Sequence, residues 1–375
     1  MDIKIFRSIK EISPLLWDSI ISNQSSPIIK NYAFLSAVED SNLLDVNYWY
    51  ILFFEKSKLI GHAALFSMYN YIGESATGKI KNFICKIEKR FPHFLRLKLI
   101  VCGTPVATCS NVLTISDEVK SENILLKLDE IVNRIAKQEK AHIILYRDFN
   151  NDNFKNMDIL RKLSYKKASS LPTTFFDVKW DSFDEYVNSF KSSSKAKIKK
   201  NLKKFRNGDL VVEICYDFFR YSDKICELYR NVYKKAEAKF EKLTARFFYN
   251  INKNLDKNTK AILVWKDQKI IAFELILEWG QFLTPLYVGI DYEFNDQYKL
   301  YFNMLYQIIK LGIESGKKTI EIGQTCYYPK LKLGARYGNL FMYIKFRNNF
   351  VNFILKPFMF FIFPEIDYNN VKKDN

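Results

Sequence analysis

An internal repeat is the feature that most restricts how this chain folds. The stretch YILFFEKSKLIGHAALF, residues 50–66, aligns without a gap with AILVWKDQKIIAFELIL, residues 261–277. Each stretch has an apolar run, a short polar turn that ends in Lys58 or Lys269, and a second apolar run. This pattern predicts two β-hairpins whose strands are largely buried. The repeat therefore indicates that one folding unit occurs twice.

The elements after each hairpin occur in the same order. Residues 122–140 have apolar side chains at helical spacing and run into the apolar strand AHIILY, and residues 299–318 do the same before TIEIG. Alternating strands and helices predict an α/β (α+β) protein with a mixed, largely antiparallel sheet flanked by helices in each half. We place the domain boundary after residue 172, which gives domains 1–172 and 173–375.

Composition restricts the class of partner. The chain has 375 residues, 48% of them hydrophobic, and a formal net charge of +17. The hydrophobic content excludes a disordered chain. The charge favours an anionic partner, such as nucleic acid, an anionic membrane face or a phosphorylated substrate, although a general bias toward Lys and Asn is a competing cause. Six cysteines without a C-x-x-C pair and three histidines give no metal-site spacing, so we expect no metal and no tightly bound cofactor.

Two terminal stretches bear on location. The N-terminal stretch MDIKIFRSIKEISPLLW has no signal-peptide organisation, which predicts a cytoplasmic protein. The most apolar stretch, FVNFILKPFMFFIF at residues 350–363, is interrupted by Lys356 and Pro357 and is shorter than the ~20 residues of a spanning helix. We expect it to close the core. The alternative is an interfacial anchor on the inner, anionic face of the membrane.

The stretch SSSKAKIKKNLKKFRNGD, residues 192–209, is strongly basic. Apolar residues three and four apart predict a helix with one face in the core, broken at Asn207-Gly208. Lys195, Lys199 and Lys203 lie on another face. We expect these lysines to hold a phosphorylated donor or acceptor, and a solvated basic face is the alternative.

Polar residues are concentrated where the strand TIEIG ends, beside a helix that begins near Tyr298. Ligands of open α/β sheets favour such strand ends, and the start of a helix offers N–H groups to an anion. An exposed loop that is polar for no functional reason is the alternative. The residues concentrated here are Glu321, Gln324, Tyr327, Tyr328, Lys330 and Lys332.

Four stretches in this order resemble one family: YAFLSAVEDS, KAKIKKNLKKF, LYVGIDYEFNDQYKLYFNMLY and EIGQTCYYPKLKLGA. They resemble the tandem GNAT-like N-acyltransferases of the FemAB-like and CelD-like type, which are relatives of the Fem-type peptidoglycan bridge ligases. The resemblance covers most of residues 30–345. It implies two GNAT-type domains, transfer of an acyl or aminoacyl group to an amine, and a site in the second half.

The chain departs from the wider GNAT pattern at the pyrophosphate-binding loop. The motif [RQ]-x-x-G-x-[GA] is absent, and DYEFNDQYKL stands in its place. The departure disfavours acetyl-CoA and leaves a longer acyl-CoA, an acyl carrier protein or an aminoacyl-tRNA as co-substrate. The resemblance implies an acceptor amine on a phosphorylated or lipid-linked molecule of cell-envelope, lipid or polysaccharide biosynthesis.

Acyl transfer to nitrogen needs a base for the incoming ammonium and donors for the oxyanion. The candidate bases are Glu321 or Asp291, with Glu274 as a third choice. The candidate proton or hydrogen-bond donors are Tyr287, Tyr301 and Tyr327, with Lys330 as an oxyanion or phosphate partner. The residues expected to bind the co-substrate are Lys195, Lys199, Lys203, Tyr298, Gln324, Tyr327, Lys330 and Lys332.

A second class of function uses the same basic helix. A nucleic-acid-binding protein would grip phosphates through residues 192–207, with an affinity that falls steeply with salt. The sequence has no helix-turn-helix, zinc-finger or RNP signature, so we expect no DNA partner, whereas tRNA is compatible with the resemblance.

Overall fold

The described parts of the chain form two β-sheets with helices on their faces. The structure is a computed structural model that describes residues 1–21, 27–71, 96–150, 157–236 and 241–358. The strands of the first sheet are β1 (Asp2–Phe6), β2 (Asn47–Glu55), β3 (Lys58–Tyr71), β4 (Arg96–Cys102), β5 (Thr114–Ile115), β6 (Ile143–Phe149), β7 (Lys166–Ser169) and, from later in the chain, β15 (Phe341–Phe346). The strands of the second sheet are β8 (Thr173–Asp177), β9 (Val211–Cys215), β10 (Thr259–Lys266), β11 (Lys269–Trp279), β12 (Phe282–Ile290), β13 (Thr319–Glu321) and β14 (Arg336–Gly338). The predicted fold class is confirmed.

The two predicted hairpins are built alike. β2 pairs with β3, and β10 with β11, through two-residue turns at residues 56–57 and 267–268. All four turn residues have positive φ, which is the pattern of a type I′ turn that matches the twist of the flanking strands. Each hairpin also has a register shift at the same aligned place, residues 53–54 in the first and 264–265 in the second. The repeat seen in the sequence is therefore a repeat of the backbone.

The two sheets have the same strand order. The first runs β1-β2-β3-β4-β6-β15-β7, with β5 added beside β3, and the second runs β9-β10-β11-β12-β13-β8-β14. In each sheet one neighbouring pair is parallel, β4 with β6 and β12 with β13. The other neighbours are antiparallel. Every strand of one path therefore has a counterpart in the other.

The chain crosses between the sheets twice, at equivalent places. After the edge strand β7 it enters the second sheet as β8, and after the edge strand β14 it returns to the first sheet as β15. Each crossing strand lies between a parallel-paired strand and an edge strand. Residues 341–346 are thus an exception to the predicted division into 1–172 and 173–375. They belong to the first sheet because the facing backbone groups of β6 and β7 need a partner.

Helices form the layers around and between the sheets. They are α1 (Pro14–Asp18), α2 (Tyr32–Asp40), α3 (Ser121–Gln138), α4 (Ile159–Lys162), α5 (Phe183–Asn188), α6 (Ser192–Arg206), α7 (Ser222–Lys235), α8 (Ala245–Leu255), α9 (Tyr292–Tyr298), α10 (Leu300–Glu314), α11 (Tyr327–Lys332) and α12 (Asn349–Leu355). One buried cluster joins Phe34 of α2 and Tyr50 of β2 to Phe247 of α8 and Phe273 of β11. α3 covers the outer face of the first sheet, and α6 and α10 cover that of the second. The two halves therefore share one central core.

The basic stretch forms the predicted helix. α6 ends at Arg206 and is followed by Asn207 and Gly208, and its side chains Ile198 and Phe205 are buried in the core of the second sheet. A Cβ at position 208 would lie 2.4 Å from the ring of Tyr298, so glycine is required where the chain leaves the helix. α6 is therefore a fixed part of the fold.

The segment that was expected to close the core does not do so in its described part. Phe350 and Phe353 of α12 are 73% and 79% exposed, and Ile354 is 44% exposed. The buried side chain of this helix is the polar Asn352. The expectation was wrong because it equated apolar sequence with burial. Among the described residues, no helix has the length and apolar content needed to cross a membrane.

We predict that Ile344→Ala in β15 lowers the free energy of unfolding by about 2–4 kcal/mol, because the side chain is buried in the first sheet. Amide hydrogen exchange in β6 and β7 should accelerate, although both strands belong to the first half of the sequence. Val211→Ala on the exposed edge strand β9 is the control, with a change within about 0.5 kcal/mol. Faster exchange confined to β13 and β14 would contradict the crossing.

Candidate active site

The strands β12 and β13 separate soon after they begin. Their parallel pairing joins residues 282–283 to residues 319–320, after which β12 continues beside β11 and β13 beside β8. We call the region between residues 284–290 of β12 and residues 321–323 the wedge. Because the carboxyl end of a parallel strand pair is where α/β sheets bind ligands, the wedge is the natural place to look for a site.

The equivalent place in the first sheet is bridged. β4 and β6 pair over residues 99–102 and 143–146. Directly beyond, the Arg147 guanidinium donates to the backbone oxygens of Thr104 (2.7 Å) and Val106 (3.1 Å). Arg147 therefore ties the end of β6 to the loop that follows β4. We accordingly place the candidate site in the second half.

Lys330 lies on α11, and its side chain reaches back to the residues that follow β13. Its buried Nζ donates to the backbone oxygens of Gly323 (3.1 Å) and Gln324 (2.9 Å). The turn before α11 has positive φ at Gly323, Thr325 and Cys326, and this strained path returns the chain so that Lys330 faces the strand end. Burial lowers the pKa of Lys330 to about 8, and the fields of Cys326 and the Glu274 carboxylate partly oppose this shift. Lys330 is therefore an ammonium that titrates near neutrality.

Glu274 lies on β11, opposite Val288 of β12. Its carboxyl is buried, and burial raises its pKa to about 8, with the Lys330 ammonium partly offsetting the shift. Burial raises the pKa of Tyr301 of α10, and the nearby exposed Cys326 and the Glu274 carboxylate add to this rise. Glu274, Tyr301, Cys326 and Lys330 thus form one electrostatically coupled group.

Glu321 is the last residue of β13 and faces the first half. Its Oε1 accepts a hydrogen bond of 3.1 Å from Thr173 Oγ1 on β8. Burial raises the pKa of Glu321 to about 8, and the nearby Asp148 carboxylate raises it further. Asp148 is itself buried and accepts from Ser170 Oγ at 3.2 Å. The crossing from β7 to β8 therefore brings two carboxyl groups together, which the sequence did not predict.

This arrangement is suited to proton transfer beside a developing negative charge. A carboxyl group with a pKa near 8 is a far better base toward an ammonium group than an ordinary carboxylate. A buried ammonium held by two backbone carbonyls is a fixed donor for an oxyanion, since its low-dielectric surroundings strengthen the interaction. Glu274 and Lys330 influence each other's pKa through their charges, whereas the pKa of Glu321 responds to its hydrogen bond from Thr173 and to the charge of Asp148.

Two of the predicted catalytic residues have structural partners. Asp291 is the N-cap of α9, and its Oδ1 accepts from Glu293 N at 3.1 Å. The Tyr287 hydroxyl donates to Glu241, whose Oε1 also accepts from Ala107 N of the first half at 3.1 Å. Glu241 is a buried acid that sequence reasoning missed, since nothing in its surroundings marks it. Both contacts fix the frame of the wedge.

The predicted co-substrate residues divide into two groups. Gln324 Nε2 donates to Leu171 O at 2.7 Å and Tyr327 OH donates to Pro172 O at 3.0 Å, so both hold the crossing segment. Tyr298 is buried and stacks on Phe294 in the core of the second sheet. Lys332 is exposed, with its Nζ 5.4 Å from the ring centre of Tyr328. Of these predicted co-substrate residues, only Lys330 belongs to the electrostatically coupled group that contains Glu274.

The basic helix reaches the site through a lysine that the sequence did not single out. Lys197 Nζ is 5.9 Å from the ring centre of Phe302, whose ring contacts that of Tyr301. Lys199 and Lys203 are exposed and Lys195 is half-buried on the same helix. α6 thus offers cations at the edge of the site, on the side of α10.

Comparison with known proteins assigns the family. A family model described as FemAB-like, peptidoglycan biosynthesis/recognition, matches residues 8–334. The chain belongs to the FemAB-like family. The resemblance seen in the sequence is confirmed, and with it the cell-envelope context of the family. Family and fold together support an acyl- or aminoacyltransferase of this general kind.

Relatives and solved structures extend the comparison. Two curated Mycobacterium tuberculosis proteins (strains CDC 1551 and H37Rv) named "Putative 8-amino-7-oxononanoate synthase 2" are each 25% identical over 321 residues, 81% of this chain and 40% of the relative. The chain thus spans less than half the length of the curated relatives it matches. The structure of FemX has a TM-score of 0.56 at 16% identity and covers 94% of this chain and 100% of FemX. A tandem GNAT protein from the clavulanic acid biosynthesis pathway has a TM-score of 0.52 at 7% identity, covering 92% and 99%. Identities this low show a common fold, which is the predicted tandem-GNAT fold.

We predict that Glu274→Gln stabilises the protein at alkaline pH. The folded-state pKa of about 8 is raised above the ordinary value, so the wild type loses stability as pH rises from about 4.5 to about 8, and the variant does not. At pH 9, where Lys330 has largely lost its charge, the gain should be on the order of 3 kcal/mol in denaturant unfolding. At pH 4 it should vanish.

The matched control is Glu55→Gln, which removes an exposed carboxyl at the end of β2. Its effect on the free energy of unfolding should stay within about 0.5 kcal/mol at both pH values. Equal stability of wild type and Glu274→Gln at pH 9 would mean that Glu274 is not held in a desolvated site.

Proposed function

We propose that this FemAB-like protein transfers an acyl or aminoacyl group from a carrier to the amine of a cell-envelope precursor, at the wedge of the second sheet. The observation that carries the proposal is the buried pair of Glu274 and Lys330, whose pKa values both lie at about 8. Such a pair supplies a base and an oxyanion donor in one place. The synthase name of the curated relatives is not carried over, because this chain covers 40% of their length.

The steps follow from the positions of the groups. The acceptor enters as an ammonium, and Glu274 takes a proton from it to free the nitrogen lone pair. The nitrogen attacks the carbonyl carbon of the donor ester or thioester, and Lys330 stabilises the oxyanion that forms. The C–N bond is kept as the C–O or C–S bond breaks. The attacking nitrogen gives up its second proton and the leaving oxygen or sulfur takes that proton up, with the Tyr301 hydroxyl near Cys326 as the relay. Glu274 then returns its proton to solvent. Glu321 and Thr173 position the end of β13.

The helix starts near the wedge favour a donor other than a CoA pyrophosphate. Asp291 caps α9 and Glu293 follows in its first turn, so this helix start already carries carboxylates. Asn295 Oδ1 accepts from Tyr301 N at 3.2 Å and so occupies an N–H at the start of α10. An anion would be repelled by these acids rather than bound. The acids at these helix starts disfavour a CoA pyrophosphate there, whereas the cations of α6 can hold the phosphates of a larger donor. We therefore favour aminoacyl-tRNA as the donor, with acyl-CoA or an acyl carrier protein as the alternative.

The pH dependence of kcat/KM tests the catalytic pair. We expect a narrow bell with its maximum near pH 8, because activity rises as Glu274 loses its proton and falls as Lys330 loses its own. Glu274→Gln should lower kcat about 10²–10⁴-fold and abolish the acidic limb. Lys330→Met should abolish the alkaline limb, and Lys330→Arg should move it to higher pH.

Two further variants separate the candidate bases. Asp291→Asn should leave the shape of the profile unchanged, since its carboxyl caps a helix. Glu321→Gln should lower kcat and keep the acidic limb. If Asp291→Asn or Glu321→Gln removed the acidic limb while Glu274→Gln kept it, the assignment of the base would be wrong.

The donor is tested by transfer from radiolabelled aminoacyl-tRNA and from short and long acyl-CoAs to an amine-bearing cell-wall precursor. We expect transfer from aminoacyl-tRNA. The triple variant Lys197→Gln/Lys199→Gln/Lys203→Gln should weaken tRNA binding and reduce the slope of log affinity against log salt by about 2. The control Lys253→Gln/Lys257→Gln, on the other side of the core, should not change it. Transfer from acyl-CoA with no tRNA binding would favour the alternative donor, and binding of tRNA without any transfer would favour a nucleic-acid-binding protein.

A further inference from the structure

Helix α12 exposes apolar side chains that an ordinary surface helix would bury. Phe350, Phe353 and Ile354 are spaced i, i+3 and i+4, so they share one face, and that face is exposed. The fully buried side chain of this helix is the polar Asn352, and Val351 and Leu355 are half-buried. A surface helix normally buries its apolar stripe and exposes its polar side. An apolar face turned outward in this way marks an interaction surface.

This outward face is fixed to the fold. Asn352 Oδ1 accepts from Phe346 N at 3.0 Å, and its Nδ2 donates to Ser164 O at 3.1 Å. The Asn348 side chain caps the helix by accepting from Phe350 N (2.9 Å) and Val351 N (3.1 Å). The polar contacts therefore hold α12 against the first sheet with its aromatic side chains outward.

Cations lie on the segments around α12. Arg347 precedes the helix and donates through Nε to Ala141 O at 2.6 Å, which brings it beside the exposed Lys140. Lys162 is exposed at the end of α4, next to the Ser164 turn that holds Asn352, and Lys356 follows the helix.

The acids on these same segments are already engaged by other groups. Glu139 binds Lys98 at 2.6 Å. Asp158 accepts from Tyr343 OH at 2.7 Å and lies 3.8 Å from Lys167. The surroundings of α12 are therefore net positive.

We propose that α12 docks this protein on the surface of an anionic lipid bilayer. Exposed Phe and Ile side chains insert into the boundary between headgroups and acyl chains, and cations around them attract anionic lipid, each by about fivefold. The sequence that follows, residues 358–363, is FMFFIF, so the apolar stretch continues. A second copy of the chain fits this surface less well, because two cationic rims on chains of net charge +17 would repel each other. The inference is independent of the transfer chemistry.

The test is co-sedimentation of the full chain with vesicles of phosphatidylcholine, with and without phosphatidylglycerol, at about 0.15 M salt. The wild type should bind the anionic vesicles and bind neutral vesicles at least tenfold more weakly. Phe350→Ser/Phe353→Ser should lower partitioning to anionic vesicles at least tenfold, with an unchanged Tm, because both side chains are already exposed. Lys140→Gln/Lys162→Gln/Lys356→Gln should lower it to a similar degree.

Two controls separate this surface from general adhesion. Leu15→Ser/Leu44→Ser removes two side chains that are 86% and 88% exposed elsewhere and should not change binding. Lys199→Gln/Lys203→Gln/Lys204→Gln removes three of the seven cations of α6 and should reduce binding no more than twofold. The proposal is overturned if the wild type ignores anionic vesicles, if Phe350→Ser/Phe353→Ser binds like wild type, or if light scattering finds a dimer that this variant abolishes.

Discussion

Strands β8 and β15 each cross from one sheet into the other, and each occupies the place between a parallel-paired strand and an edge strand. Each sheet contains one strand that the chain contributes after crossing from the other sheet. Neither sheet is therefore complete until the hydrogen bonds of both β8 and β15 have formed. The crossing also sets Thr173 beside Glu321 and leads the chain past Gln324 and Tyr327, which hold Leu171 and Pro172. The frame of the wedge thus depends on contacts made between the halves.

The contacts between the two halves hold the wedge rigid, and this rigidity explains how three ionisable groups are tolerated in the interior. Glu274, Glu321 and Lys330 are buried, and each has its pKa moved toward 8 by loss of water. Such groups cost stability, and a fold that relaxed easily would admit water or turn them outward. Buried groups with pKa values shifted in this way are typical of functional sites. In the first sheet the corresponding position is used differently, because Arg147 bridges it with ordinary hydrogen bonds.

The sequence predicted what depends on local pattern. The hairpins and the helices α3, α6 and α10 follow from periodicity and residue type. Residue type also marks Glu321 and Lys330 as candidates at the end of an apolar strand and Glu274 as a third choice of base on a hairpin strand, and their catalytic roles stay predictions. Three features depended on long-range packing and were not predictable. β15 is six residues long and its sequence does not say which sheet it joins. Asp291 is a residue type that can act as a base, but its position directly before α9 makes its carboxylate the N-cap of that helix. The apolar sequence of α12 predicts hydrophobic side chains, but it does not tell whether they face the core or the solvent.

The central claim is that the wedge holds a carboxyl and an ammonium group that both titrate near pH 8. Carbon-13 NMR of the protein labelled at glutamate side-chain carboxyls measures it most directly, with Glu274→Gln and Glu321→Gln used to assign the two signals. We predict midpoints near 8 for both, with the Glu274 midpoint moving higher in Lys330→Met as it loses its counter-charge. Midpoints below 5 for both carboxyls, unchanged by Lys330→Met, would contradict the account.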